Sequence, residues 1–458
     1  MSAETEYLKA LYQEYLKLNP CSKQLYEEAC KVIKGGNTRA VLMYLPYPAY
    51  IERGEGSHIW DVDGNERIDF FYNATVLILG HNHPKVLEAI KQQLACGTAL
   101  GGPTESEIEL AEELVERLPS AEMVRFTPSG TEAVHQALRL ARSYTGKDKI
   151  AKFEGAYHGS WDAVDISIFP SLEEAGPPLS PYGVPFNEGV PKKVLDNTIV
   201  MPYNNAEAVE KIVKKHKDEL AAVIIEPVQR GYLPKEGFLE TVREITERYG
   251  ILLVFDEIIS FRVSPGGAQE LFKVTPDITT LGKIIGGGFP VGAYCASEEI
   301  MEPFMFVLPD ALRTPLKFSG TFNAFPITMA AGLATLKELT PKVYERMNRL
   351  AQDMRNGLGK MLGDLKIEAH VEAIGSMFHI WWTKEEVVDY RSLKTADPRL
   401  DTYFELDSIN RGVYYRGHPN VSAVTTKEDV KKALEIAGQS FTALRPVVRE
   451  ISPQLIAK

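Results

Sequence analysis

Ile251-Leu252-Leu253-Val254-Phe255-Asp256-Glu257 sets five apolar residues in a row ahead of two carboxylates. So short and continuous an apolar run is a strand buried on both faces, as strands of parallel sheets are. Its acidic end puts a carboxylate at the sheet edge where open α/β folds bind ligands. Side chains alternate along a strand, so Asp256 and Ile258 share a face while Glu257 points away. Taken alone, a strand-end aspartate is more often a helix cap or half of an ion pair.

Outward from this strand the same grammar repeats. Residues 123–126, 149–153, 221–226, 278–280 and 291–296 read as further strands, with helices over 131–144, 206–217 and 238–249. That alternation gives a mainly parallel sheet covered by helices, an α/β fold. Earlier, 59–62 and 67–70 flank Asp63-Gly64-Asn65 as a hairpin. Leu8, Leu11, Tyr12, Tyr15 and Leu16 share one face of an opening helix that Pro20 stops. After residue 326 a long helical stretch leads to 374–382, which reads as one strand. The predicted architecture is a large domain over 76–326 and a small α+β domain assembled from 1–75 and 327–458. The Pro/Gly-rich residues 175–191 read as a surface excursion.

The chain has 458 residues, 44% hydrophobic and 25% charged, as a soluble globular protein does. Its net charge of −11 argues against nucleic acid or an anionic membrane as partner. The scattered Cys21, Cys30, Cys96 and Cys295 form no CxxC pair, which fits a reducing compartment. The N-terminus lacks the basic start and apolar core of a secretion signal, and no apolar run reaches membrane-spanning length. The expected location is the cytoplasm.

Two further segments carry chemistry. In Thr280-Leu281-Gly282-Lys283-Ile284-Ile285-Gly286-Gly287-Gly288, a lysine sits among apolar and glycine residues. Most lysines are surface groups, but one desolvated in this way is suited to act as a nucleophile. Thr127-Pro128-Ser129-Gly130-Thr131-Glu132 lies between a strand and a helix. It is either an ordinary N-cap or an anion site built from free N–H groups and the positive helix end, best suited to phosphate. Other motifs fail. Thr145-Gly146-Lys147-Asp148 lacks the earlier glycine and final hydroxyl of a nucleotide phosphate loop, and Gly286-Gly287-Gly288 is not GxGxxG. His81 and His83 have no HExxH or matching acid cluster, so no metal is expected.

Together the phosphate loop, the strand-end Asp256 and the glycine-flanked Lys283 resemble the class III, fold-type I pyridoxal-phosphate aminotransferases, in order and spacing. Gly35-Gly36-Asn37-Thr38-Arg39 and Gly80-His81-Asn82-His83-Pro84 are similar to the glutamate-1-semialdehyde aminomutase branch, which includes β-amino-acid and D-phenylglycine aminotransferases. The resemblance implies a seven-stranded type of sheet in the large domain and pyridoxal 5′-phosphate held on Lys283 as a Schiff base. It implies Ser129, Gly130 and Thr131 at the phosphate, Asp256 at the ring nitrogen, Glu226 near the ring, and Tyr157 stacked opposite Ile258. Thr321 matches the threonine that reaches the partner subunit's phosphate, which implies a homodimer with shared active sites.

Arg39 and Arg416 match two arginines that bind substrate carboxylates in this branch. Two planar forks would suit a dicarboxylate acceptor, and Tyr44, Tyr47, Phe71 and Tyr72 would line an apolar pocket. The expected reaction moves an amino group between a carboxylate-bearing amine, a β-amino or aromatic amino acid, and a 2-oxo acid such as 2-oxoglutarate or pyruvate. The alternatives are a glutamate-1-semialdehyde aminomutase, an amino-acid racemase or epimerase, and a silent binding protein of the same fold. Asn37-Thr38-Arg39-Ala40-Val41-Leu42 departs from the semialdehyde enzymes' usual Asn-Ser-Pro-Val-Arg-Ala-Phe, which speaks against the aminomutase.

Overall fold

A computed structural model describes residues 2–229, 231–304 and 316–457. The chain divides into two compact units, one of Pro84–Pro341 with Val388–Leu393, the other of Met1–His83, Lys342–Val387 and Lys394–Lys458.

The larger unit is built on β1 (Met123–Thr127), β2 (Lys149–Phe153), β3 (Thr198–Met201), β4 (Leu220–Ile225), β5 (Leu252–Asp256), β6 (Ile278–Gly282) and β7 (Gly292–Ala296). These seven strands run in the order β1-β7-β6-β5-β4-β2-β3. β7 is antiparallel to β1 and β6, and every other pairing is parallel. Every residue of β4 and β5 is buried, as their unbroken apolar runs require. Val134, Leu138, Ile150, Ala222, Val254 and Ile278 share one core cluster. Full burial of a Val, Leu or Ile side chain contributes roughly 1.5–3 kcal/mol. The strand β3 was not expected. It is short, sits at the sheet's end, and follows the Pro/Gly-rich stretch that masks it in sequence.

Helices α1 (Gly130–Thr145), α2 (Ala206–His216), α3 (Phe238–Arg248) and α4 (Pro326–Glu338) belong to this unit. The last accounts for the later boundary, at 341 instead of 326. Arg117 Nη2 donates to the Leu336 carbonyl at 2.7 Å, and Lys85 pairs with Glu338 at 2.6 Å. Because α4 is buried on most sides, it has no amphipathic edge to separate it in sequence from the next helix, Pro341–Asp364. The other boundary falls at 83, not 75.

In the smaller unit, the hairpin His58–Asp61 and Glu66–Asp69 pairs with Ile51–Glu55 on one side and Val413–Tyr414 on the other. The single strand expected over 374–382 is instead a second hairpin, His370–Ile374 with Met377–Trp381, turning at Gly375-Ser376. Pro20 ends the opening helix Ala3–Leu18 and also begins another, Pro20–Ala29, at the position where a missing N–H costs nothing. Tyr44, Tyr47, Phe71 and Tyr72, expected to line an apolar pocket, belong to the buried core, the first three in one cluster with Leu11 and Tyr15 of the opening helix. Among the described residues no helix is long and apolar enough to cross a membrane.

Candidate active site

The ends of β2, β4 and β5, the turn after β6 and the start of α1 are tied together by short contacts. Ser129 caps α1, its Oγ accepting from the Glu132 N–H at 3.2 Å. Thr131 Oγ1 accepts from Ser160 N at 3.2 Å. Gly159 has φ +92°, and a Cβ there would lie 2.6 Å from Thr131 Oγ1. A Cβ on Gly130 would lie 2.7 Å from Ile258 Cδ1. The helix start is therefore packed against Ile258 and the 159–160 turn, and the first-turn N–H groups offer a site for an anion.

Asp256, at the end of β5, is nearly fully buried. Its Oδ2 lies 2.7 Å from Nδ1 of the buried His158, and its Oδ1 accepts from Ile258 N at 3.2 Å. The alternation read from sequence holds for Glu257, which turns away to accept N–H bonds from Ala268 at 2.5 Å and Gln269 at 3.1 Å. Glu226 Oε2 accepts from Tyr157 N at 2.9 Å, which fixes a tyrosine that is 47% exposed. Lys283 directly follows β6 and opens a tight turn, Lys283–Gly286. Its φ is +51°, a left-handed conformation that costs a non-glycine residue on the order of 1–3 kcal/mol and marks functional positions. The preceding Gly282 approaches Ile258, and Thr280 pairs with Asp256. Ser129, Gly130, Thr131, Tyr157, Glu226, Asp256, Ile258 and Lys283 are thus one connected cluster.

Three supporting residues were not singled out from sequence. His158 braces Asp256. The buried Lys152 donates from Nζ to the Ala156 and Val164 carbonyls, each at 2.9 Å, and to that of Ile166. A lysine inside the apolar strand 149–153 was a legible signal of this. Arg391 pairs with Glu154 through Nε at 2.9 Å and Nη2 at 3.0 Å, and its Nη1 ties the 175–191 excursion through Gly176 O at 2.9 Å. Burial pushes the Glu154 carboxyl up from its ordinary value, and the Arg391 guanidinium opposes this. Nothing local in the sequence foretells a contact spanning so much chain.

Thr321 is exposed in a turn of the same unit. Arg39 and Arg416 belong to the smaller unit, where their surroundings differ sharply. Arg416 is largely buried. Its Nη1 is paired with Glu405, its Nη2 donates to Val41 O at 2.9 Å and Met43 O at 3.1 Å, and its guanidinium lies 4.9 Å from the Tyr44 ring. The fork expected for substrate is spent on its own protein. Arg39 is exposed, and its Nη1 donates to Asn73 Oδ1 at 2.5 Å.

Asn73 lies in an unusual turn. Tyr72, Asn73, Ala74 and Thr75 have φ of +44°, +54°, +57° and +71° with no glycine among them. A left-handed turn costs roughly 1–2 kcal/mol per L-residue, with Asn among the few that visit it readily. Asp69 holds the turn, its Oδ1 accepting from Phe71 N at 2.8 Å and Tyr72 N at 3.0 Å. Asp69 Oδ2 meets His81 Nε2 at 2.8 Å, and Tyr72 OH meets Thr425 Oγ1 at 3.0 Å. His81 is thereby committed to Asp69. Among the described residues no group of three His, Cys, Asp or Glu could hold a metal ion.

The cluster around Lys283 fits pyridoxal phosphate by its donor set. An amine, a braced buried carboxylate, a half-exposed tyrosine ring and a helix start with free N–H groups match an aldehyde, a pyridine nitrogen, an aromatic face and a phosphate. A family model for class-III aminotransferases matches residues 43–427. The chain belongs to the class-III aminotransferases. As in that family, its cofactor is pyridoxal phosphate. Among related class-III aminotransferases, a glutamate-1-semialdehyde 2,1-aminomutase of Methanocaldococcus jannaschii is 44% identical over 400 residues, 86% of this chain and 90% of that one. An omega-transaminase from Sphaerobacter thermophilus has a similar structure, with TM-score 0.89 and 41% identity over 93% of this chain and 98% of its own. A β-phenylalanine aminotransferase from Variovorax paradoxus follows with TM-score 0.84 and 31% identity, over 96% and 98% of the two chains.

Proposed function

We propose that this enzyme moves an amino group from a β-amino or aromatic amino acid to a 2-oxo acid. The observation that carries the reading is Arg39, an exposed guanidinium held by a neutral amide and so able to receive a carboxylate. With Arg416 engaged by Glu405, a single fork favours an acceptor with one carboxylate, such as pyruvate, over 2-oxoglutarate. The similar β-phenylalanine aminotransferase supports a donor of this kind.

Bound pyridoxal phosphate supplies the electron sink that makes the proton on the amine-bearing carbon labile. The chain supplies the rest. Lys283 holds the cofactor and moves that proton. Asp256, braced by His158, keeps the ring nitrogen protonated. Tyr157 and Ile258 confine the ring, Glu226 fixes Tyr157, and Ser129, Gly130 and Thr131 take the phosphate. Thr321 completes the phosphate site of a partner subunit in a homodimer. The exposed Cys21, Cys30 and Cys96, unpaired as thiols, suit the reducing cytoplasm.

Arg39→Ala tests the substrate reading. A lost charge-assisted bidentate contact costs about 1.5–3 kcal/mol, so KM for the acid donor should rise about ten-fold or more. KM for a comparable simple amine should change little, because only the acid loses a partner. Equal damage to both donors contradicts the assignment. The aminomutase relative from M. jannaschii favours a second reading, an amine shift within glutamate-1-semialdehyde. Segment 37–42 speaks against it.

A further inference from the structure

We infer that Asn73 is a positioning residue for Arg39, and that the left-handed turn 72–75 exists to present its amide oxygen. This inference rests on the proposed role of Arg39 as the carboxylate ligand. Asn73 Oδ1 takes Nη1 of Arg39 at 2.5 Å. A guanidinium has two donor edges, so the Nε–Nη2 edge stays available for a bidentate carboxylate. The amide holds the fork without neutralising it. Arg416 shows the contrasting arrangement, in which the charge is paired with the Glu405 carboxylate and Nη2 donates to two backbone carbonyls.

The rest of the surroundings serve the same geometry. The side chain of Asn37 accepts from the Arg39 N–H at 2.7 Å and so sets the backbone from which the guanidinium extends. Asp69, anchored on His81, binds the first N–H groups of the turn, and Tyr72 is tied to Thr425. Four consecutive non-glycine residues are thereby held in a conformation they avoid when free. Strain maintained from several sides at one short turn is a sign of function, and the polar side chain that this turn presents to Arg39 is Asn73.

The experiment is a double-mutant cycle on the holoenzyme. Asn73→Gly removes the amide while suiting the left-handed backbone, so the fold should persist, checked by an unchanged thermal midpoint. Two quantities are read in wild type, Asn73→Gly, Arg39→Ala and the double variant. One is calorimetric binding of 3-phenylpropanoate, an aromatic carboxylate with no amine to react. The other is KM for an acid donor against KM for a simple amine. Asn73→Gly should weaken 3-phenylpropanoate and raise the acid KM about ten-fold, the amine KM moving far less. The double variant should match Arg39→Ala alone, because Asn73 acts only through the arginine. A normal Asn73→Gly beside a defective Arg39→Ala overturns the positioning role, as does an undiminished Asn73→Gly effect in the Arg39→Ala background. A normal Arg39→Ala sinks the carboxylate reading itself, and this inference with it.

Discussion

Lys283→Ala should leave a folded protein with no measurable transamination and no absorbance band from covalently held cofactor. General acid–base catalysis alone contributes roughly 10²–10⁴-fold, and in the proposed assignment this lysine also supplies the covalent link. The backbone argues in the same direction. A lysine at φ +51° carries strain that alanine would share without any compensating role, so the variant should gain no stability from the change. If the α1 start and Asp256 hold the cofactor as proposed, pyridoxal phosphate should still bind without the covalent link, and dialysis against buffer should then remove it faster than from wild type. A variant that kept the covalent band would take Lys283 out of its assigned place.

Asp256→Asn should give the second-largest loss. The amide can still meet His158 and accept from Ile258 N, so the folded protein and the covalent cofactor band should persist. What disappears, in the proposed assignment, is the negative charge opposite the ring nitrogen. Breaking a buried charged pair by removing one partner typically costs about 3–5 kcal/mol. Part of that should appear as a fall in kcat of about a hundred-fold or more, with far less change in thermal midpoint. Near-normal turnover would mean that another acid tunes the ring.

The central sheet was legible because five apolar residues before Asp256 admit few other readings, and the same pattern recurs along the large unit. The residues proposed for the site at strand ends and helix starts stand out in sequence because chemistry there depends on residue type at fixed spacing. His158 stood in view beside Tyr157, but only the sheet order, which sets β4 between β2 and β5, shows that it reaches Asp256. Arg416 looked like Arg39 in sequence. Glu405, which spends its fork, lies on a helix whose facing could not be fixed from the pattern alone. The turn 72–75 left no trace at all, since Tyr-Asn-Ala-Thr carries no glycine to announce a left-handed backbone. Local rules reveal the elements, whereas the supporting contacts arise from tertiary packing that overrides them.

The most direct test of the account follows the nitrogen itself. Holoenzyme is given ¹⁵N-labelled β-phenylalanine and unlabelled pyruvate, and alanine is analysed by mass spectrometry. The account predicts ¹⁵N-alanine in amounts equal to the keto product released, with both lost in Lys283→Ala. Unlabelled alanine, or rapid isomerisation of glutamate-1-semialdehyde by an enzyme that transfers no label to pyruvate or 2-oxoglutarate, would contradict it.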